Sequence, residues 1–290
     1  MAGEVGELGR EAALRAALDN EEFALHFQPI VRLGDRAVVG FEALVRWLHP
    51  PAIQLPAAFL PEVERHGLMP RLGQWVIENA ATSLRQIELS VPRRNEPDGG
   101  SLFMSVNISA TQLDDPDLLR AIERAVTVNR LAPGRLRLEV AEADRVDRLD
   151  GVARLITSCA ELGVQVSIDH FGTGANALSS LYRLPLAGVK LARTFAVDLA
   201  TYPRSAEVLR ALARFARQLS LGCVACGLED YRQATLARDL GVPFGQGHFF
   251  GTAMPLLVAS SFVRRASERV YAEPQAAPLA AMAAGPSFRA

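Results

Sequence analysis

Oxygen-bearing side chains stand near the ends of four separate predicted β-strands: Glu42, Asn107, Glu139 and Asp169. Carboxylate and amide oxygens are the ligands that Mg²⁺, Mn²⁺ and Ca²⁺ prefer. Two cations, Lys190 and Arg46, belong to the same set of strands. A metal ion beside such cations suits an anionic substrate, above all a phosphate ester. The alternative for any one of these residues is a helix cap or a salt bridge at a strand end.

Side-chain alternation along the strands puts these residues on one side of the predicted sheet. Successive side chains of a strand point to opposite faces. In segment 41–47 the first face carries Glu42, Leu44 and Arg46, and the second carries Phe41, Ala43, Val45 and Trp47. Six segments show an apolar face and a second face that becomes polar near the carboxyl end. Strands covered by helices are usually apolar on both faces, so the polar ends indicate a functional rim.

Strand-like and helix-length segments alternate along the chain. The strand-like segments are 23–30, 37–47, 102–109, 135–140, 164–168, 188–191, 221–225 and the region 244–250. Helical spacing of apolar residues marks 60–89, 112–129, 149–162, 204–219 and 231–240. Asp114–Pro116 predicts a helix start, and Gly163 and Gly241 predict helix ends. The pattern predicts parallel pairing and an α/β (β/α)8 TIM-like barrel, with an open doubly wound sheet as the alternative.

The segment order predicts one barrel domain with a short addition at each end. We expect residues 1–20 to hold a helix at 5–18, residues 21–271 to form the barrel, and residues 272–290 to be a disordered tail. The tail is rich in alanine and proline and has too little bulky apolar surface to order itself. Residues 92–101 form a polar loop without periodicity.

Composition and charge exclude several classes of protein. The 290 residues include 31 basic and 32 acidic side chains, which argues against a protein that coats DNA, RNA or an anionic membrane. No apolar run reaches the roughly 18 residues of a membrane span, and residues 1–10 lack the apolar region of a signal peptide. Three cysteines do not make a disulfide framework. We therefore expect a cytoplasmic protein.

Seven sequence motifs occur in a specific order: FQPI at 27–30, GFEALVRWLHP at 40–50, SVNIS at 105–109, LEVAE at 138–142, SIDHFGTG at 167–174, LPLAGVKLA at 184–192 and GQG at 245–247. This set strongly resembles EAL-domain proteins and covers roughly residues 10–260. These are bacterial enzymes that open cyclic di-GMP to linear pGpG on a (β/α)8 barrel with two divalent metals. The resemblance therefore implies cyclic di-GMP as the ligand.

The resemblance implies a role for each matching residue. Metal ligands would be Glu42, Asn107, Glu139 and Asp169. Substrate-binding residues would be Gln28, Leu44, Arg46 and Gln246, of which Arg46 would hold a phosphate. Lys190 would orient the attacking water, and Glu229 matches a further rim position with a catalytic role. Glu142 would support the loop that follows Asp169.

Three residues depart from the family pattern at acidic positions. His170 stands where the family has a second aspartate, Ala192 replaces another aspartate, and Cys226 replaces a glutamate. Two-metal hydrolysis needs a clamp on both the attacking and the leaving oxygen, and loss of a general base costs about 10²–10⁴ in rate. We therefore predict one Mg²⁺ or Mn²⁺ site, an incomplete second site, and absent or very weak catalysis. Residues 175–177 also diverge, in a loop associated with family dimerisation, so a homodimer is less secure.

Three functions stay open at this point. The first is a regulator that binds cyclic di-GMP or a protein partner without turnover. The second is an active phosphodiesterase that works with unusual ligands. The third is a partner-binding module that binds no nucleotide. A smaller alternative is a zinc site formed by Asp169, His170 and Cys226. Cys223 and Cys226 have the spacing of a redox or zinc motif, but a strand would point them to opposite faces.

Overall fold

The computed structural model describes residues 2–90, 101–142, 149–173, 181, 183–199 and 202–272. The tail beyond residue 272, loop residues 91–100 and the divergent residues 175–177 lie outside this part of the chain. A sheet of ten strands dominates the architecture, and eight of them close into a barrel because β1 pairs with both β2 and β9. This closure confirms the predicted TIM-like barrel and excludes the open doubly wound sheet.

The barrel strands are β1 (Phe23–Arg32), β2 (Val38–His49), β4 (Phe103–Ile108), β5 (Leu136–Ala141), β6 (Gln165–Phe171), β7 (Gly188–Leu191), β8 (Gly222–Cys226) and β9 (Phe244–Gln246). Two short strands, β3 (Ala52–Gln54) and β10 (Met254–Pro255), extend the sheet beyond β2 and β1. The prediction of parallel pairing is wrong for β1, which runs antiparallel to both neighbours. The connection at 33–37 is too short for the crossover that a parallel pair needs.

The helices are α1 (Ala2–Asp19), α2 (Pro56–Arg65), α3 (Met69–Ser90), α4 (Ala110–Leu113), α5 (Leu118–Asn129), α6 (Leu149–Glu161), α7 (Arg193–Asp198), α8 (Pro203–Gln218), α9 (Tyr231–Asp239) and α10 (Leu256–Ala272). The single helix predicted at 60–89 is wrong. Gly67 has a left-handed φ of 65° and separates α2 from α3. Gly163 and Gly241 follow α6 and α9 with φ of 73° and 91°, which confirms the predicted helix ends.

The main hydrophobic core lies between the outer face of the barrel and the helices. Phe41, Ala43, Val45 and Trp47 are all buried there, which confirms the predicted apolar face of β2. A smaller cluster of Ile30, Phe103 and Val224 fills part of the barrel interior. Other buried positions are charged, among them Glu42, Glu139 and Lys190. Within the described residues, we find no helix with the length and apolar character needed to cross a membrane.

Candidate functional site

Lys190 lies at the centre of a buried ionic cluster inside the barrel. Its Nζ atom is 2.6 Å from Glu42 Oε2 and 2.7 Å from Glu139 Oε2. These three residues come from β7, β2 and β5, and all are buried. Lys190 is also the sole lysine among the 31 basic residues of the chain. The cluster thus uses a compact ammonium charge where arginine supplies every other positive side chain.

Amide side chains hold Glu42 in this position. Asn107 Nδ2 donates to Glu42 Oε1 at 2.7 Å, and Gln246 Nε2 donates to Glu42 Oε2 at 2.7 Å. Gln246 Nε2 also lies 3.0 Å from Gln28 Oε1, and Gln28 Nε2 lies 3.4 Å from the Gly251 carbonyl oxygen. The structure therefore joins four residues that the sequence assigned to metal or substrate binding. Charge-assisted hydrogen bonds of this kind are stronger than neutral ones.

Asp169 directs both carboxylate oxygens to the residue that follows it. The His170 backbone N–H donates to Asp169 Oδ1 at 2.7 Å, and His170 Nδ1 lies 3.2 Å from Asp169 Oδ2. His170 has a left-handed φ of 56°. Burial opposes the ionisation of Asp169, but Lys190 and His170 outweigh it and lower the Asp169 pKa to about 2.

The buried charges of the cluster shift one another's proton affinity. Burial raises the Glu139 pKa to about 7, although Lys190 opposes the shift. Burial acts in the same sense on Glu42, but Lys190 outweighs it and the Glu42 pKa is lowered. Burial disfavours the Lys190 cation, yet Glu139 and Glu42 hold the Lys190 pKa well above its usual range. The cluster therefore contains a stable ammonium ion between two unlike carboxyl groups.

Arg46 stands at the mouth of the barrel without a carboxylate partner in the part of the chain that the structure describes. The side chain is buried, and Nη1 donates to the Val45 carbonyl oxygen at 2.8 Å. Burial lowers the Arg46 pKa, while the charge of Glu42 opposes this shift. Leu44 lies on the same face of β2, between Glu42 and Arg46, and is half-buried. A desolvated guanidinium of this kind is suited to bind a phosphate group.

The loop that follows β6 is fastened by Glu142. Glu142 Oε2 accepts hydrogen bonds from the backbone N–H groups of Gly172 at 2.8 Å and Thr173 at 3.1 Å. Gly172 has a φ of 99°, a conformation that favours glycine. This is the contact that loop support by Glu142 requires; its functional role stays a prediction.

Glu229 forms a separate ionic cluster on the rim. Its carboxylate lies 3.2 Å from Arg193 Nη2 and 2.9 Å from His248 Nδ1. Both partners are largely exposed. Within the described residues the polar contacts of Glu229 lie outside the buried Lys190 cluster. The catalytic assignment of Glu229 therefore stays a prediction.

The two other substituted positions bring no acidic group to the rim. Ala192 is buried directly after β7, and Cys226 ends β8 with Sγ 4.0 Å from Gln246 Oε1. Burial raises the pKa of the Cys226 thiol. Cys223 packs in the main core and Cys226 against the interior cluster, so the two thiols face opposite sides as expected. Among the described residues, no three His, Cys, Asp or Glu side chains form a metal-binding group, which leaves the zinc alternative without support.

The sequence analysis did not predict the capping box that follows the end of β4 near Asn107. Gln112 Oε1 accepts from the Ser109 backbone N–H at 3.1 Å, and Ser109 Oγ accepts from the Gln112 N–H at 3.4 Å. This capping box starts α4, and the available signal was the spacing of serine and glutamine. The Gln112 side chain is buried against Gly73, where an added Cβ would lie 1.8 Å from Gln112 Nε2. The cap predicted at Asp114–Pro116 is present just before α5: Asp115 Oδ1 accepts from the Asp117 backbone N–H at 3.0 Å, whereas Asp117 itself makes no side-chain cap.

A small cavity inside the barrel shows where a ligand does not fit. Its volume is about 20 Å³, and its lining includes Glu139, Lys190 and Arg137. The Arg137 guanidinium lies 3.5 Å from the ring centroid of Phe103, and burial lowers the Arg137 pKa to about 10. The space accepts about one water molecule. The space is therefore too small for a nucleotide.

The donor chemistry of the rim fits a divalent cation. Three carboxylates and one amide lie on neighbouring strands and are hard ligands for Mg²⁺ or Mn²⁺, but among the described residues the acidic side chains are not gathered into a metal-binding group of three. The relevant side chains are Glu42, Asn107, Glu139 and Asp169. Lys190 and His170 now engage carboxylate oxygens that a metal would use.

Comparison with known proteins shows a family match over most of the chain. The protein-family model described as "EAL domain" matches residues 11–253 of this chain. A curated relative, the cyclic di-GMP phosphodiesterase NbdA of Pseudomonas aeruginosa, is 36% identical over 259 residues, which cover 89% of this chain and 32% of the relative. The signaling protein YkoW of Bacillus subtilis is 33% identical, with coverage of 87% and 31%. The chain thus spans about a third of the length of these relatives.

Solved structures show the same architecture. The EAL enzyme Bd1971, in its cAMP- and cyclic-di-GMP-bound form, has a TM-score of 0.82 and 28% identity over 90% of this chain and 70% of that chain. The phosphodiesterase PaMucR in complex with cyclic di-GMP has a TM-score of 0.77 and 33% identity over 85% and 98%.

Proposed function

The chain belongs to the EAL domain family, and on that premise we propose that it binds cyclic di-GMP at the carboxyl rim of its barrel and hydrolyses it weakly or not at all. The observation that carries the binding is Arg46, a buried cation without a carboxylate partner among the described residues. A phosphodiester group supplies the missing negative charge. The Bd1971 and PaMucR structures hold cyclic di-GMP, which supports the choice of ligand.

The other residues proposed to bind the substrate are neighbours on adjacent strands at the barrel mouth. Gln28 and Gln246 are hydrogen-bonded to each other beside Glu42, and Leu44 offers an apolar surface between Glu42 and Arg46. Apolar surface with a few placed polar groups is the usual composition of a nucleotide pocket. This arrangement supports one phosphate at Arg46 with its nucleoside against Leu44.

The loss of turnover follows from the residues at the rim. One Mg²⁺ or Mn²⁺ would be held by Glu42, Asn107, Glu139 and Asp169, and such an ion would polarise a phosphate oxygen. A second ion lacks ligands, because imidazole and thiol are softer donors than Mg²⁺ favours and alanine offers none. His170, Ala192 and Cys226 occupy those positions. Without a clamp on both oxygens, in-line displacement loses much of its stabilisation.

One experiment separates the three candidate functions. Cyclic di-GMP is titrated into the protein by calorimetry with and without Mg²⁺, and the same mixtures are analysed for linear pGpG. We expect heat of binding without product, and we expect Arg46→Met to abolish the heat while Glu229→Gln retains it. If neither heat nor product is observed, the proposal is overturned and a module for a protein partner is favoured.

An active phosphodiesterase is the second candidate, and Lys190 favours it. The ammonium group lies between Glu42 and Glu139, where it could hold a water molecule over a bound phosphate. Linear product above the level of a Glu42→Ala control would establish this activity. A regulatory protein partner and a homodimer stay predictions. Light scattering of each variant over a range of protein concentrations would show whether a homodimer forms.

A further inference from the structure

His26 occupies the barrel mouth beside the residues proposed to bind cyclic di-GMP. Because β1 runs antiparallel to β2, the first half of β1 lies at the carboxyl rim. The pairs Gln28–Glu42, His26–Leu44 and Ala24–Arg46 follow one another towards the mouth. Directly opposed residues of an antiparallel pair share a face, so His26 and Arg46 both point towards the interior side.

The strand register brings His26 close to Arg46. His26 is the diagonal neighbour of Arg46 across the β1–β2 pair, a position in which Cβ atoms lie about 7–8 Å apart or less. The charge of Arg46 acts on His26 and helps to lower the His26 pKa, although burial is the larger cause. A hydrogen bond to the Ala253 carbonyl opposes this shift.

We propose that His26 supplies a second positive charge to the phosphate-binding mouth and takes up a proton from solvent when a phosphodiester is bound beside Arg46. The inference rests on the proposed binding of cyclic di-GMP. In the free protein the imidazole is neutral near pH 7, because burial and Arg46 disfavour its cation. A bound phosphate carries the opposite charge and reverses the effect of Arg46. The ring then donates from one nitrogen to Ala253 and from the other to the phosphate.

The sign of the pH dependence follows from linkage. The ligand raises the His26 pKa relative to that of the free protein, so the complex binds more protons than its components. Affinity therefore increases as the pH falls through the pKa of the complex, and becomes constant below the pKa of the free protein. Each unit of difference between the two values corresponds to about a tenfold change in Kd.

On the two described strands that pair with β1 at His26, few charged groups share the face of this residue, which allows a direct test. On β2 the charged side chains on its face are Arg46 and, further from the mouth, Glu42. On β10 its paired residue is Pro255, which does not titrate. Glu139 and His170 titrate elsewhere in the site. Their contribution cancels when the intact protein is compared with a variant that differs at His26 alone.

The variant His26→Gln keeps a neutral donor for the Ala253 carbonyl and removes the titrating ring. Calorimetry of cyclic di-GMP binding is measured at about pH 6 and about pH 8, in buffers of low and high ionisation enthalpy. We expect the intact protein to take up a fraction of a proton and to bind several times more tightly at the lower pH. At the higher pH, His26→Gln should bind cyclic di-GMP with the same affinity as the intact protein. Its affinity should increase less than that of the intact protein when the pH is lowered.

A matched control is His66→Gln, which changes a histidine at the end of α2. It should retain the full pH dependence. Equal pH dependence in the intact protein and His26→Gln, or no difference between the two buffers, overturns the role of His26 and leaves the proposed function standing. Absence of binding by the intact protein at both pH values overturns the proposed function itself, and this inference with it.

Discussion

Lys190 shows how one residue supports both the structure and the site. Its ammonium group is buried between Glu42 and Glu139, and all three lie inside the barrel. Both carboxyl groups need this cation to compensate their negative charge, because a buried charge without a partner is strongly disfavoured. The sequence alone identified Lys190 as a rim residue, yet it did not show that the same residue neutralises two of the predicted metal ligands.

Lys190→Met should destabilise the fold. The change keeps most of the side-chain volume and leaves Glu42 and Glu139 without their shared cation, so we expect a loss of about 3–5 kcal/mol in the free energy of unfolding. Urea unfolding followed by circular dichroism measures the loss. Arg193→Met serves as the control, because its ion pair with Glu229 is largely exposed and exposed pairs contribute little. A loss below about 1 kcal/mol for Lys190→Met would contradict the central role of the ammonium group.

The substituted residues at the rim lead to a gain-of-function prediction. His170→Asp, Ala192→Asp and Cys226→Glu, combined in one protein, return three oxygen ligands to positions beside Asp169 and Gln246. His170→Asp also removes the ring that lies 3.2 Å from Asp169 Oδ2. We expect Mn²⁺ to bind more tightly to the triple variant in calorimetry and linear pGpG to form. The triple variant with Glu42→Ala should form none. Unchanged Mn²⁺ affinity in the triple variant would show that these positions do not limit metal binding.

At the scale of elements, the sequence predicted the strands better than their pairing. The strand-like segments of the sequence correspond to all eight barrel strands, and six of them showed the apolar face that must be buried under helices. It did not give the direction of β1, which is set by the short connection at 33–37. Helical periodicity also continues across Gly67 and concealed the break between α2 and α3. The break depends on one backbone conformation, which an apolar pattern does not record.

The contact between α3 and α4, the short helix that follows β4, offers a test of the element that positions Asn107. Gly73→Ala introduces a Cβ where Gln112 Nε2 now lies, which should cost about 1–3 kcal/mol in unfolding free energy. In the Gln112→Ala background the clash is gone, and alanine stabilises a helix by up to about 1 kcal/mol over glycine. We therefore expect Gly73→Ala to destabilise the intact protein and to stabilise the Gln112→Ala variant. A double-mutant cycle in urea measures this reversal; additive effects would exclude the contact.

At the scale of the molecule, closure of the barrel connects the site to global stability. β1 pairs with β2 on one edge and with β9 on the other, and Gln246 from β9 donates to Gln28 of β1 and to Glu42 of β2. A ligand at this seam contacts both edges of the closure. Opening the barrel would therefore separate the residues proposed to bind the ligand, so binding and folding should be linked.

Cyclic di-GMP should therefore stabilise the whole barrel rather than one part of it. At a free concentration of about 100 times Kd, binding to the folded state alone adds about 2.7 kcal/mol to the free energy of unfolding. We expect the midpoint of urea unfolding to increase while its slope stays constant, because the surface exposed on unfolding does not change. Arg46→Met at the same ligand concentration should show no increase, and GMP should give a smaller one than cyclic di-GMP. An increase in Arg46→Met equal to that in the intact protein would place the ligand away from the barrel mouth.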